Sequence, residues 1–290
     1  MKETESVQRL GWLSLGVNIG LMAVKISAGV LGNCYALIAD GVESATDILT
    51  TSVTWLGYKF SLRPADAEHP YGHGKIEALS GAFSGISLLA AATLIVWQSI
   101  HEIMTVHKAP AWYTLPILIV VVIIKETVSR KVLKAAQSVD SVAIKGDAWH
   151  HRSDAITSGA AAIGIAMALF GGDRFSVADD WAALFACIII YLNGVLILKS
   201  AVHEILDGVV SGDVERAIAD VARSVDPIVD VEKCRVRKSG TDYFVEIHLQ
   251  VPEDMPVREG HALGHRVKDA VMAARSAVRD VVVHIEPAKS

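Results

Sequence analysis

Residues 39–47 read A-D-G-V-E-S-A-T-D and residues 146–154 read G-D-A-W-H-H-R-S-D, each within a long apolar stretch of chain. The first supplies Asp40, Glu43 and Asp47, the second Asp147, His150 and Asp154. In both, an Asp is followed by an acid or imidazole three positions on and by a second Asp four positions later. On an α-helix that spacing lays the three groups roughly along one face over about 10 Å. Ionisable groups inside a bilayer are costly and imply a partner, a water-filled path or a bound ion. Glu43, Asp47, His150 and Asp154 are metal ligands by type. Two helices that each offer a pair one turn apart close a four-ligand site for a divalent cation.

The surrounding composition is that of a membrane protein. Of 290 residues 52% are hydrophobic and only 20% charged, the mean hydropathy is +0.39, and the charges cluster outside the apolar runs. Runs long enough to span occur at about residues 10–32, 35–60, 78–104, 112–134, 147–171 and 179–203, each near the ~20 residues that a bilayer core requires. Six transmembrane helices are expected. The first run carries Asn18 and Lys25 and lacks a clear small-residue cleavage site, so it reads as a span rather than a signal peptide, with the mature chain beginning at Met1. Lys25, toward one end of that span, is expected to snorkel to an interface or pair with a carboxylate.

Orientation follows from the basic residues of the connections. Lys2 and Arg9 precede the first span, Lys59, Arg63 and Lys75 separate the second from the third, and Arg130, Lys131, Lys134 and Lys145 separate the fourth from the fifth. The opposite side carries little beyond Lys108 and Arg174, which places both termini in the cytoplasm. A net charge of −5 with no concentrated basic patch argues against nucleic-acid binding. Cys34, Cys187 and Cys234 show no CxxC spacing and imply no disulfide framework. Ser158, Gly159, Ala160, Ala161, Ala162 and Gly164 in the fifth span permit close helix approach, a packing role that needs no function.

From about residue 207 the composition becomes that of a soluble domain, dividing the chain into a membrane part, residues 1–206, and a separate tail, residues 207–290. A helix after Ser211, Gly212 and Asp213 turns Val214, Ile218, Val221 and Val225 toward a core. Tyr243, Val245, Ile247 and Leu249 alternate with Phe244, Glu246, His248 and Gln250, the pattern of a sheet with one covered face. Ser239 and Gly240 make the turn before that strand. A helix at about 257–274 and a strand at about 278–286 complete an αββαβ, ferredoxin-like order, expected to pack as a small antiparallel sheet with helices on one face. His248, His261, His284 and Glu286, with Glu232, form a second candidate metal cluster; a solvated polar sheet face is the alternative.

Taken together, the two Asp-containing motifs, R-P-A-D-A-E-H-P-Y-G-H-G-K-I-E at 63–77 and the αββαβ tail resemble the cation diffusion facilitators, a family of divalent-metal/proton antiporters. The resemblance covers essentially the whole chain. It places the family's transport site on Glu43, Asp47, His150 and Asp154, the same four residues selected by spacing. It places a loop site on Asp66, His69 and His73, which without the family would read equally as a pH-sensitive or solvated turn. It places the tail site on His248, His261, His284 and Glu286, with Glu232 where some relatives add a ligand. It also implies a homodimer, and a charge pair between Lys75 and Asp207 at the hinge between membrane and tail.

The chain departs from common family patterns. Zinc-selective relatives commonly have His or Asp where Glu43 stands, and manganese-type relatives commonly lack a His at position 150. Three carboxylates and one imidazole favour Zn(II) or Fe(II) over Mn(II) or Mg(II). Ligands that must lose protons to bind a metal couple transport to protons, with His150 suited to the role because imidazole's ordinary pKa is about 6.5. Asp40 and Asp147 read as groups that orient the ligands or line the path, or equally as helix-packing hydrogen-bond partners. The expectation is proton-coupled efflux across a bacterial inner membrane, with no enzymatic activity and no organic cofactor. A membrane metal sensor that transports little shares every motif. An intramembrane metalloenzyme would need a general base or nucleophile, or an HExxH, that the sequence does not supply.

Overall fold

The computed structural model describes residues 2–31, 35–104, 114–171 and 178–288. Cys34, Lys108 and Arg174 lie outside them. Six long helices come first: α1 (Lys2–Leu31), α2 (Tyr35–Ser61), α3 (Lys75–Met104), α4 (Thr114–Ser138), α5 (Val142–Gly171) and α6 (Ala178–Ile205). The tail follows as α7 (Gly212–Arg223), β1 (Asp230–Ser239), β2 (Asp242–Val251), α8 (Val257–Ala274) and β3 (Val278–Pro287). The chain divides into two compact units, residues 1–63 with 76–202, and residues 64–75 with 203–290.

Several of the long helices outrun the apolar stretches that reveal them. α4 runs to Ser138 and α5 starts at Val142, because polar residues satisfy the helix ends. Ser141 caps α5, its Oγ accepting from Ile144 N–H at 3.1 Å while donating to Glu77 Oε1 at 2.5 Å. Glu77 Oε1 also accepts from Ala143 N–H at 2.8 Å, so a side chain of α3 closes the otherwise unsatisfied first turn of α5.

The packing of the first unit is inverted relative to a soluble protein. Lys125, Glu77, Asp147 and His151 are buried, while Leu94, Trp97, Phe185, Ile188, Leu192 and Leu196 are exposed. A large outward-facing apolar surface around a polar interior is stable only in lipid. Among the described residues three stretches, Arg9–Ser27, Lys75–His101 and Leu184–Ile205, are long and apolar enough to cross a membrane by length and composition. Buried ionisable groups sit on α1 (Lys25), α2 (Asp47), α3 (Glu77), α4 (Lys125) and α5 (Asp147, His150 and His151). Tyr58, Val128, Val132, Ile144 and Ala148 pack in one core with Val17, joining α1, α2, α4 and α5. Leu88, Ala92, Val142, Ile190 and Ile197 form another, joining α3 and α6 to the start of α5. At Gly85 the backbone of α3 meets that of α6: a Cβ there would lie 2.9 Å from Leu198 N, so only glycine permits the approach.

In the second unit the sheet order is β1-β2-β3. β1 pairs antiparallel with β2, whereas β2 pairs parallel with β3, correcting the expected all-antiparallel sheet. α8 is the reason, since a helical crossover returns the chain to begin β3 at the same end as β2. The β1–β2 turn places Gly240 at φ +65°, a conformation that favours glycine. Ile218 and Ala222 of α7, Leu263, Val267 and Val271 of α8, and Val245, Ile247 and Leu249 of β2 share one buried core. Val214, Val221 and Val225 pack against it half-buried. The opposite face of β2 therefore carries Glu246 and His248.

Candidate metal centre

Asp47 leaves α2, and His150 and Asp154, one turn apart, leave the same face of α5. Together they bring one potential ligand atom each to within 4.8 Å of one another. His150 Nε2 lies 2.9 Å from Asp47 Oδ1, and both side chains are buried. His150 Nδ1 is buried without a hydrogen-bond partner among the described residues. Asp40 and Glu43 lie on α2, with side chains outside those described.

A fourth group, which the motif spacing did not select, completes the cluster. Lys125 of α4 is 1% exposed, and its Nζ donates to Asp47 Oδ2 at 2.9 Å, to Asp154 Oδ2 at 2.7 Å and to Asn18 Oδ1 at 3.2 Å. The signal was present in the sequence. Lys125 follows the uncharged run 115–124 of the fourth apolar stretch, and the cost of an ionisable group in a span applies to an amine as it does to an acid.

From Lys125 a hydrogen-bonded chain runs inward across the helices. Asn18 Nδ2 donates to Thr51 Oγ1 at 3.1 Å, and Thr51 Oγ1 donates to Asp147 Oδ1 at 2.9 Å. Trp55 Nε1 donates to Asp147 Oδ2 at 2.9 Å. His151, fully buried one turn along α5 from Asp147, has Nε2 2.6 Å from Ser14 Oγ and 3.7 Å from Asp147 Oδ2. Asp147 is thus an acceptor that ties α2 to α5 and connects to the ligands through Thr51, Asn18 and Lys125. Lys25 does not snorkel: it is buried, and its Nζ donates to Ser44 Oγ at 3.1 Å.

In the second unit the 64–75 loop gathers Asp66, His69 and His73 into a set with ligand atoms within 4.8 Å. Asp66 Oδ1 accepts from the backbone N–H of His69 at 2.7 Å and of Glu68 at 3.0 Å, which organises the turn. Those bonds, that from His69 first, hold the Asp66 carboxyl below its usual range. His69 Nδ1 lies 3.3 Å from Asp66 Oδ1, and His73 Nε2 lies 3.4 Å from Asp66 Oδ2.

The tail brings His248, His284 and Glu286 together, again within 4.8 Å. Parallel pairing sets His248 beside His284 and Gln250 beside Glu286, so residues 248, 284 and 286 project from one face. Glu286 Oε1 lies 2.7 Å from His248 Nδ1 and 3.3 Å from His284 Nε2. Hydrogen bonds to Glu286 and to Glu246 raise the His248 pKa above its ordinary value. The other two expected tail ligands fall elsewhere in the chain's own fold. Glu232 sits at the bulge between Val231 and Lys233, and His261 is exposed on α8 with its Nε2 3.2 Å from that of His265.

Lys75 Nζ donates to Asp207 Oδ1 at 2.7 Å and to the Glu204 carbonyl at 2.6 Å. Arg237 Nη1 lies 3.5 Å from Asp207 Oδ2. Against the opposing effect of partial burial, Lys75 and Arg237 hold the Asp207 carboxyl below its ordinary value. Cys187 and Cys234 are free thiols, and burial pushes Cys234 up to about 11.

Residues 11–206 match the family model described as the cation efflux transmembrane domain, and residues 210–288 match the cytoplasmic domain of cation efflux proteins. The chain belongs to the cation diffusion facilitator family of divalent metal transporters. It is 26% identical over 290 residues to the manganese efflux system protein MneP of Bacillus subtilis, covering 98% of each chain. Identity to the magnetosome protein MamM of Paramagnetospirillum magneticum is 30% over 285 residues, covering 96% of this chain and 87% of that one. The magnetosome protein MamB of Magnetospirillum gryphiswaldense is 27% identical over 278 residues, covering 96% and 93%. The chain is a membrane metal efflux transporter with a small cytoplasmic sheet domain.

Proposed function

We propose that the chain exports Zn(II) or Fe(II) from the cytoplasm in exchange for protons, through a six-span transport domain that works as a homodimer in the bacterial inner membrane with both termini cytoplasmic. The observation that carries this reading is the convergence of buried Asp47 and His150 with half-buried Asp154 in a helix bundle whose surface is apolar. Glu43, one turn before Asp47 on α2, is the fourth ligand by position. Imidazole among carboxylates suits zinc, iron and cobalt, and the geometry a site imposes selects among metals more than intrinsic affinity does. The resemblance to a manganese efflux protein makes Mn(II) a required comparison, with Co(II) and Cd(II) beside it.

Protons drive the cycle because carboxylates and imidazole bind a metal only when deprotonated, so protons arriving from the far side displace it. The spans rock to expose the site alternately to the two sides. Divalent metals are substrate at this site and regulators at the loop and tail clusters. No organic cofactor and no catalytic step enter the cycle.

The test is cellular metal content and metal tolerance in cells that express the chain, with the proton gradient intact or collapsed. Lower cytoplasmic Zn or Fe that depends on the gradient supports efflux by antiport. Bound metal in the purified protein with no change in cellular content supports a membrane metal sensor instead.

A further inference from the structure

We propose that Lys125 is a tethered cation that occupies the transport site in exchange for the metal and offsets part of the site's negative charge on the carrier's metal-free leg. The proposal deepens the reading of Asp47, His150 and Asp154 as the transport site and rests on it. Lys125 Nζ hydrogen-bonds one oxygen of each carboxylate, Asp47 Oδ2 and Asp154 Oδ2, at 2.9 and 2.7 Å. A divalent metal on these carboxylates would stand about 2.1 Å from its oxygens. Sharing an oxygen with it would place the ammonium no more than about 5 Å from the metal, in a water-poor interior where repulsion between like charges is poorly screened. The two cations therefore exclude one another from the carboxylates.

The lysine is built for such an exchange. It comes from α4, whereas the three ligands come from α2 and α5, so it leaves without displacing a ligand-bearing helix. Its long stem is flexible and its head is a point charge with three rotatable donors, unlike the fixed fork of an arginine. Asn18 Oδ1, 3.2 Å from Nζ, is a partner that lies outside the ligand set. A monovalent ion that displaced one ammonium would gain no net charge interaction with the two carboxylates, whereas a divalent ion gains one unit. Exchange thus discriminates by charge. After release the ammonium returns, and the bundle moves without leaving the buried Asp47 carboxylate and the partly exposed Asp154 carboxylate uncompensated.

The experiment measures Zn(II), Fe(II) and Co(II) binding to the purified full chain by titration calorimetry, and flux of the same metals in proteoliposomes. It uses the wild type, Lys125→Met, Lys125→Gln and Asp154→Ala. Gln keeps hydrogen bonding to the carboxylates, so it covers the case in which the apolar variant fails to fold. The expected result is an affinity at least about tenfold tighter in the Lys125 variants, with a lower apparent KM and a lower maximal flux. A purely structural lysine would instead lower affinity and flux together. Unchanged or weaker binding in a folded Lys125 variant, alongside an Asp154-dependent wild-type site, overturns the exchange role alone. Flux that survives Asp154→Ala, with no binding step lost from the titration, overturns the transport-site reading and this proposal with it.

Discussion

His150 Nε2 lies 2.9 Å from Asp47 Oδ1, although the two residues stand on different helices and 103 positions apart in the chain. The contact joins α2 to α5 and makes one nitrogen and one oxygen ligand neighbours. Asp154 follows His150 by one turn and adds its carboxylate from the same face.

The imidazole is the group in this cluster that favours zinc, iron or cobalt over manganese. His150→Asp makes the donor set wholly oxygen, and the ratio of Mn(II) to Zn(II) flux should rise at least about fivefold. Competition between the two metals in proteoliposomes reads the ratio directly, and an unchanged ratio would show that selectivity lies elsewhere.

Asp147 has a different part. Its carboxylate accepts from Thr51 and Trp55 in the interior, so Asp147→Ala strands both donors. The expected loss is about 2–6 kcal/mol of stability, at roughly 1–3 kcal/mol for each stranded group. Thermal unfolding in detergent should register that loss, while Asp147→Asn, which retains an acceptor, should lose less. Equal stability in all three proteins would remove the packing role.

At the tail cluster pH acts through His248. Glu286 and then Glu246 raise its pKa above the ordinary 6.5, so the protonated pair stabilises the domain fully below about 6.5 and loses that contribution as pH rises through the folded value. Metal binding has the opposite dependence, because the metal needs neutral imidazole. Affinity at this cluster should fall as pH drops through the raised value, beginning above 6.5, and titration calorimetry between pH 8 and 6 on a protein carrying both Asp154→Ala and Asp66→Ala isolates the tail. His284→Ala should weaken binding at every pH in that range.

The pair between Lys75 and Asp207 should contribute little to stability, about 0–1 kcal/mol, since both side chains are partly exposed. Its contribution is present above the ordinary carboxylate pKa of 3.8 and is lost as pH falls through the lower folded value. Lys75→Ala should nevertheless loosen the dimer or lower transport, read by analytical ultracentrifugation and by flux; no change in either would exclude the proposed role of the pair.

Much of this arrangement was legible in the sequence because helical and strand periods encode faces. Spacing of four on one helix selected His150 and Asp154 together, and alternation along residues 243–250 separated His248 from the core side of its strand. What alternation does not encode is strand direction. The parallel register of β3 follows from the crossover through α8, and that register is what sets His284 beside His248. A spacing of four also sets His261 beside His265 on α8, but it does not tell that His261 stays out of the set formed by His248, His284 and Glu286. Lys125 was missed for another reason. It has no ligating partner one turn away on α4, and its meaning emerges only when a third helix brings it to the carboxylates.

Passage of a metal across the membrane through the Asp47, His150 and Asp154 centre is the step on which the proposed function rests. It is tested most directly by metal flux into proteoliposomes under an imposed pH gradient, comparing wild type with Asp154→Ala for Zn(II), Fe(II), Co(II) and Mn(II). Gradient-dependent flux of zinc or iron is expected in the wild type, with at least a tenfold loss in the variant, since losing even an outer partner of a metal ligand costs about 10–100-fold. Flux that persists in Asp154→Ala, or metal that binds the wild type and never crosses, would contradict it.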